Sequence, residues 1–187
     1  GKSHVATSWA LTGRKRAPWE WVAPAGLVIE RGTAVRLHLH NALSSLLDAA
    51  LIERTLRRHF EPLFDPRFDE MLVAHYPQGV RFTINGLSAD RVALASDQGS
   101  PVSIRFGRKR KPAASGFLVR HLEPQPEDSR GLAVSTFGKV IKRGWDWLGI
   151  TPDAPDGISG LVEAPGLAAS LTLNKSDFLR AGPRGAS

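Results

Sequence analysis

Cysteine is absent from the 187-residue chain. That excludes a disulfide framework and any thiolate zinc site, and it fits a reducing compartment. No apolar run approaches the roughly 20 residues that a membrane span needs, so no membrane partner is expected and a cytoplasmic location is. No internal repeat is visible. Gly1-Lys2-Ser3-His4 lacks the form of a leader peptide and runs straight into a strand-like pattern. With no initiating methionine, and with a last helix that meets Gly182-Pro183 almost at once, the chain is expected to be cut at both ends. What is plentiful is positive charge. Lys and Arg total 25 against 18 Asp and Glu, a formal net charge of +7. Such a surface calls for an anionic partner, whether nucleotide phosphate, nucleic acid or acidic membrane, and charge alone does not choose among them.

Hydrophobic periodicity sets the expected elements. His4 to Leu11 alternates as a strand. Trp19 and Trp21 share a face, bracketed by Pro18 and Pro24. Thr33 to His40 alternates cleanly, with Val35, Leu37 and Leu39 on one side and Arg36, His38 and His40 on the other, the pattern of a half-buried strand. The period then changes. Leu47, Leu51, Leu56, Phe60 and Phe64 make an approximate helical stripe, with Ser45 and Asp48 as its capping box and Glu53 and Arg57 one turn apart. Pro62 should end or kink that helix. Asp65-Pro66 restarts one, with Phe68, Leu72 and Tyr76 on its buried face. Strands resume at Val80, with Asn85-Gly86 as a hairpin turn. Val102 to Phe106, Gly116 to Leu122, a long strand Gly131 to Ile141, Ile158 to Val162 and Leu171 to Leu173 follow. Trp145 to Leu148 reads as a helical turn whose tryptophans are packing anchors. The class is α+β.

Five features are weighed for chemistry. Asn174 is a good N-cap and Asp177 completes a capping box, so Lys175 sits in the first turn of a helix, where a cation opposes the macrodipole. Free N–H groups and an ammonium together suit a phosphate; a solvated lysine offset by Asp177 is the plainer alternative. Arg108 to Lys111 is a basic loop, either a phosphate contact or a solvated hairpin tip. Lys139, Lys142 and Arg143 flank a strand end on the phosphate-facing surface. His38 and His40 have metal-ligand spacing but no third ligand nearby, so no metal site is expected. Ser135 has no His or Asp arrangement around it to make a triad.

Leu171-Thr172-Leu173-Asn174-Lys175-Ser176-Asp177-Phe178-Leu179 resembles the strand-to-helix segment of heat-shock protein 90 family ATPases, GHKL-type enzymes. In them a basic residue at this helix start reaches the nucleotide γ-phosphate from the middle domain. MutL-type mismatch-repair ATPases use a transducer lysine similarly. Other segments resemble the family in the same order. Gly32-Thr33 with Arg36 to His40 is similar to the last strand of the nucleotide-binding domain, and Leu51 to Phe60 to the linker helix. Phe82 to Gly86 is similar to the first transducer strand and turn, and Ile158 to Pro165 to the strand before the basic residue.

The resemblance implies closing strands of a GHKL α/β sandwich over residues 1–41 and a helical linker over 42–78. A middle or transducer domain of the ribosomal-protein-like βαβ type follows over 79–187, its sheet carrying helices on one face. It implies Lys175 as the catalytic, phosphate-sensing residue, and Gly32, Thr33 and Asn174 as nucleotide-binding positions. ATP and Mg²⁺ would be held by an upstream domain. The family's catalytic glutamate, magnesium-binding asparagine, adenine-binding aspartate and glycine-rich lid have no counterpart here, so the chain alone is not expected to hydrolyse ATP. A homodimer and a protein client stay open as partners. Two other readings stand beside this one: a basic nucleic-acid-binding module, and a structural protein-interaction domain.

Overall fold

The computed structural model describes residues 5–6, 20–21, 32–35, 37, 39–91, 99–105, 112–150, 152–172 and 177–178. The chain divides into two compact units, Gly1–Ala42 and Leu43–Ser187. In the first unit, β1 (Val5–Ala6) pairs antiparallel with β2 (Glu20–Trp21). The strand expected over Thr33 to His40 does not form among the described residues 32–35, 37, 39 and 40. Val35 and Leu37 are 79% and 68% exposed. Alternation marks a strand only where a neighbour takes the ladder and a layer covers the apolar side.

The second unit begins with helices. The expected capping box shifts by three residues. Asp48, not Ser45, is the N-cap of α1 (Ala49–His59), and its side chain accepts from the N–H groups of Ala50 and Leu51 at 2.9 and 3.2 Å. Ser44 caps a separate 3₁₀ turn over Ser45–Leu47. Asp48→Ala is expected to cost about 1 kcal/mol in urea unfolding. Ser45→Ala, by contrast, should stay within about 0.5 kcal/mol, as a surface change away from any cap does.

Pro62 enters at the start of α2 (Glu61–Phe64), so the helical path breaks at Phe60 as expected. Asp65 caps the next turn by accepting from the Arg67 N–H, and α3 (Asp69–Leu72) completes the helical layer.

A hairpin of β3 (Thr83–Ile84) and β4 (Leu87–Ser88) turns at Asn85-Gly86. Both turn residues have positive φ, 51° and 82°, the signature of a type I′ turn. The main sheet has five strands: β5 (Ser100–Ile104), β6 (Ala114–Arg120), β7 (Gly131–Thr136), β8 (Lys139–Gly144) and β9 (Ile158–Glu163). Their order is β5-β6-β9-β7-β8. The last strand is thus inserted at the centre, antiparallel to β6 and parallel to β7. One face carries Phe117, Ala133, Val140 and Leu161 and packs against Phe68 and Leu72 of the helical layer. The other carries Ala114, Val134, Val162 and Ala164, covered by Trp147, Leu167 and Phe178. Trp145 and Trp147 anchor as expected, their indole N–H groups donating to the carbonyls of Pro155 and Leu132.

The long strand expected over Gly131 to Ile141 is instead a hairpin, folded at Phe137-Gly138 with φ of 52° and 78°. Tertiary contacts hold Phe137 in that left-handed conformation. Its N–H donates to Glu163, its carbonyl accepts from the Tyr76 hydroxyl, and its ring lies 4.1 Å from that of His75.

The pairing of β7 with β8 slips between Val134 and Ser135. Ser135 faces Val140 while Val134 faces Lys142, which leaves Ile141 as the extra residue of a bulge. The bulge reverses the alternation along β8. It turns Arg143 toward the helical layer, where it pairs with Glu61, and Lys142 toward the opposite face.

Candidate functional site

The segment expected to carry the site follows β9, and its described residues are Leu171, Thr172, Asp177 and Phe178. Beyond Glu163 the chain makes a 3₁₀ segment, Pro165–Ser170, and Leu171 then forms an antiparallel bridge with Phe178. Thr172 and Asp177 lock this pair. The Thr172 N–H donates to the Asp177 carbonyl at 2.8 Å, and the Asp177 N–H donates to the Thr172 hydroxyl at 3.2 Å. Phe178 also packs into the apolar layer over Val134 and Val162.

Asn174 and Lys175, the expected cap and phosphate-sensing residue, lie outside the described residues. Asp177 and Phe178 are described, and neither is helical. Asp177 therefore does not occupy the third position of a capping box. One of its carboxylate oxygens accepts from the Phe178 N–H at 2.7 Å, and the other pairs with Lys142 at 2.9 Å. Of the three basic residues expected on one surface, Lys142 thus stands beside this segment, while the bulge sends Arg143 to the other side of the sheet.

Gly32 and Thr33 are exposed. The basic loop Arg108 to Lys111 and His38 lie outside the described residues; His40 is exposed. Among the described residues no three His, Asp or Glu side chains come together in a metal-binding group. No helix among them is long and apolar enough to cross a membrane.

A buried carboxylate at the end of β9 was not singled out by any sequence pattern. Glu163 has no solvent exposure. It accepts from the Ser135 hydroxyl at 2.6 Å, the Phe137 N–H at 2.6 Å and the Gly138 N–H at 3.1 Å. Burial pushes its pKa above the ordinary glutamate value, and the three donors only partly offset that. The network also suits the protonated form, because the Ser135 hydroxyl has a second acceptor in the Val162 carbonyl at 3.2 Å. A protonated Glu163 can then donate to the Ser135 oxygen. This carboxylate ties the β7–β8 turn to the central strand and acts as a structural clasp.

The chain matches no protein-family model, no curated protein and no solved structure. The class defined by the elements themselves is α+β: a helical layer on one face of a mixed five-stranded sheet.

Proposed function

We propose that the chain is the coupling part of a GHKL-type ATPase. In this reading residues 1–41 are closing strands of the nucleotide-binding domain, residues 42–78 the helical linker, and residues 79–187, with the five-stranded sheet, the middle or transducer domain. Lys175 reaches the γ-phosphate of ATP bound upstream with Mg²⁺ and stabilises charge that develops on the transferred phosphoryl group. Gly32 and Thr33 belong to the adenine side and Asn174 to the phosphate side. The observation that carries the reading is the anchoring of the segment around Lys175. Both of its described ends, Leu171 and Phe178, are bridged to each other, and Phe178 packs on the sheet's central strands. Ends of a segment that are anchored on the sheet move when the sheet moves, which is what coupling requires. The exposed apolar side at Val35, Leu37 and Leu39 is that of a strand needing a sheet neighbour, which the nucleotide-binding domain supplies here.

Lys175→Ala, made in the protein that joins this chain to its nucleotide-binding domain, is expected to lower ATP turnover by at least about tenfold, or 1.4 kcal/mol of barrier. Nucleotide affinity should be nearly unchanged, since the lysine acts on charge that appears during transfer. Unaltered turnover removes the reading.

A further inference from the structure

A groove of about 570 Å³ lies between α1 and the helical-layer face of the sheet. From α1 it is lined by Leu51, Arg54, Thr55 and Arg58, which share one face at spacings of three and four. From the sheet it is lined by Val119, His121 and Ser159, side chains at the end of β6 and the start of β9. A second groove of about 610 Å³ shares Val119, His121 and Gln125 but carries one Arg, Arg120, and one Glu, Glu123, with no excess of charge. The first is different, and its polar groups decide what it takes.

Its acids are Glu61 and Asp128. Glu61 is paired with Arg143 and Arg57 is paired with Glu53, so these four charges largely cancel. Arg54 and Arg58 have no acidic partner among the described residues, and only Asp128 opposes them. Donors are also in surplus. The Nε of Arg143 is buried in the wall without a hydrogen-bond partner. The His121 Nε2 and the Ser159 Oγ lie 2.7 Å apart. In either neutral tautomer that pair uses one hydrogen and leaves another, on Nδ1 or on the hydroxyl, unspent. Two guanidinium groups without an acidic partner among the described residues, a spare donor and the apolar Leu51 and Val119 thus line one groove.

We propose that this groove binds the phosphate group of a small molecule of about nucleotide size. The group is acceptor-only and dianionic, which the surplus of donors requires; guanidinium forks match its oxygens in pairs. The volume falls within the roughly 300–1,000 Å³ typical of small-ligand sites. A nucleic-acid strand is a poorer fit. Arginines one turn apart bracket one phosphate rather than a backbone. The aromatic ring in the groove, Phe117, is buried and has the Arg67 guanidinium 3.4 Å above its centre, so it offers no stacking platform. The proposal does not depend on the ATPase reading.

Calorimetric titration of the 187-residue chain with pyrophosphate and with AMP at low salt tests it. Binding to at least one probe is expected, weakened at least about tenfold in the Arg54→Ala/Arg58→Ala double variant. Both positions are exposed, so the variant should unfold with the wild-type urea midpoint. Neutralising Arg108 to Lys111 should leave this binding in place. The proposal is overturned by no binding of either probe up to about 10 mM. Binding that survives loss of Arg54 and Arg58 overturns it too, as does binding confined to mixed-sequence single-stranded oligonucleotides.

Discussion

Gly116→Ala is expected to destabilise the second unit by at least about 3 kcal/mol, at the top of the range for overpacking. Gly116 lies on β6 directly opposite Val162 of β9. A Cβ there would stand 2.7 Å from the Val162 Cα and closer still to the Leu161 carbonyl oxygen. Both obstacles are backbone of the central strand, so no rotamer change relieves them. Gly160 faces a similar barrier from the other side, its Cβ falling 2.6 Å from the Phe117 carbonyl oxygen. The two strands therefore approach through a glycine on each, Gly116 opposite Val162 and Gly160 opposite Leu118, and the first added methyl must push them apart. Because β9 also pairs with β7, the displacement reaches both halves of the sheet. Gly166→Ala is the control: nothing lies within 4 Å of its Cβ position, and a change within about 0.5 kcal/mol is expected. Urea midpoints measure both. Equal, small shifts would show that β6 and β9 do not meet at this distance.

Glu163→Ala should cost about 3–5 kcal/mol. Three donors, two of them backbone N–H groups in a turn, lose their acceptor in a site without water access, at about 1–3 kcal/mol each before relaxation. The Phe137-Gly138 turn loses the contact that holds Phe137 at positive φ. Glu163→Gln should cost less, about 1–2 kcal/mol, because an amide still accepts from Phe137 and donates to Ser135 but faces the Gly138 N–H with a second donor. The pH dependence has a definite sign. The folded pKa is raised above the unfolded one, so the folded state binds the proton more tightly. Glu163 thus stabilises most at pH below the unfolded glutamate value of about 4.3, and that contribution declines as pH rises through the folded value. Glu61 is raised in the same direction, chiefly by burial, and adds to the trend. In Glu163→Gln the decline should be shallower than in the wild type across that window. An unchanged slope would mean that Glu163 titrates as it does in the unfolded chain.

These two residues mark the limit of what the sequence discloses. Asn85-Gly86 reads as a turn because its own φ preferences make one. Phe137-Gly138 does not, because its turn is imposed by Glu163 and Tyr76 from distant segments. The bulge at Ile141 is equally silent in the sequence, yet it decides that Lys142 meets Asp177 and Arg143 meets Glu61. Helical breaks at Pro62 and Asp65 were legible, since proline and capping act locally. The strand over Thr33 to His40 was misread for the opposite reason: its pattern is sound, but pairing needs a partner. The groove at Arg54, Arg58, His121 and Ser159 joins residues over a hundred positions apart, beyond any spacing rule. The helix expected from Lys175 does not extend over Asp177 and Phe178, so the electrostatic signal there was misleading, and the role given to Lys175 rests on the collinear resemblance.

The proposed coupling role is tested most directly by steady-state ATP turnover with Lys175→Ala beside Lys175→Arg, in a protein that joins this chain to the proposed upstream nucleotide-binding domain. Arginine keeps the positive charge and adds a bidentate fork. The account predicts turnover at least about tenfold lower in the alanine variant and largely restored in the arginine variant, with ATP affinity similar in all three proteins. Equal turnover in the wild type and the alanine variant would contradict it.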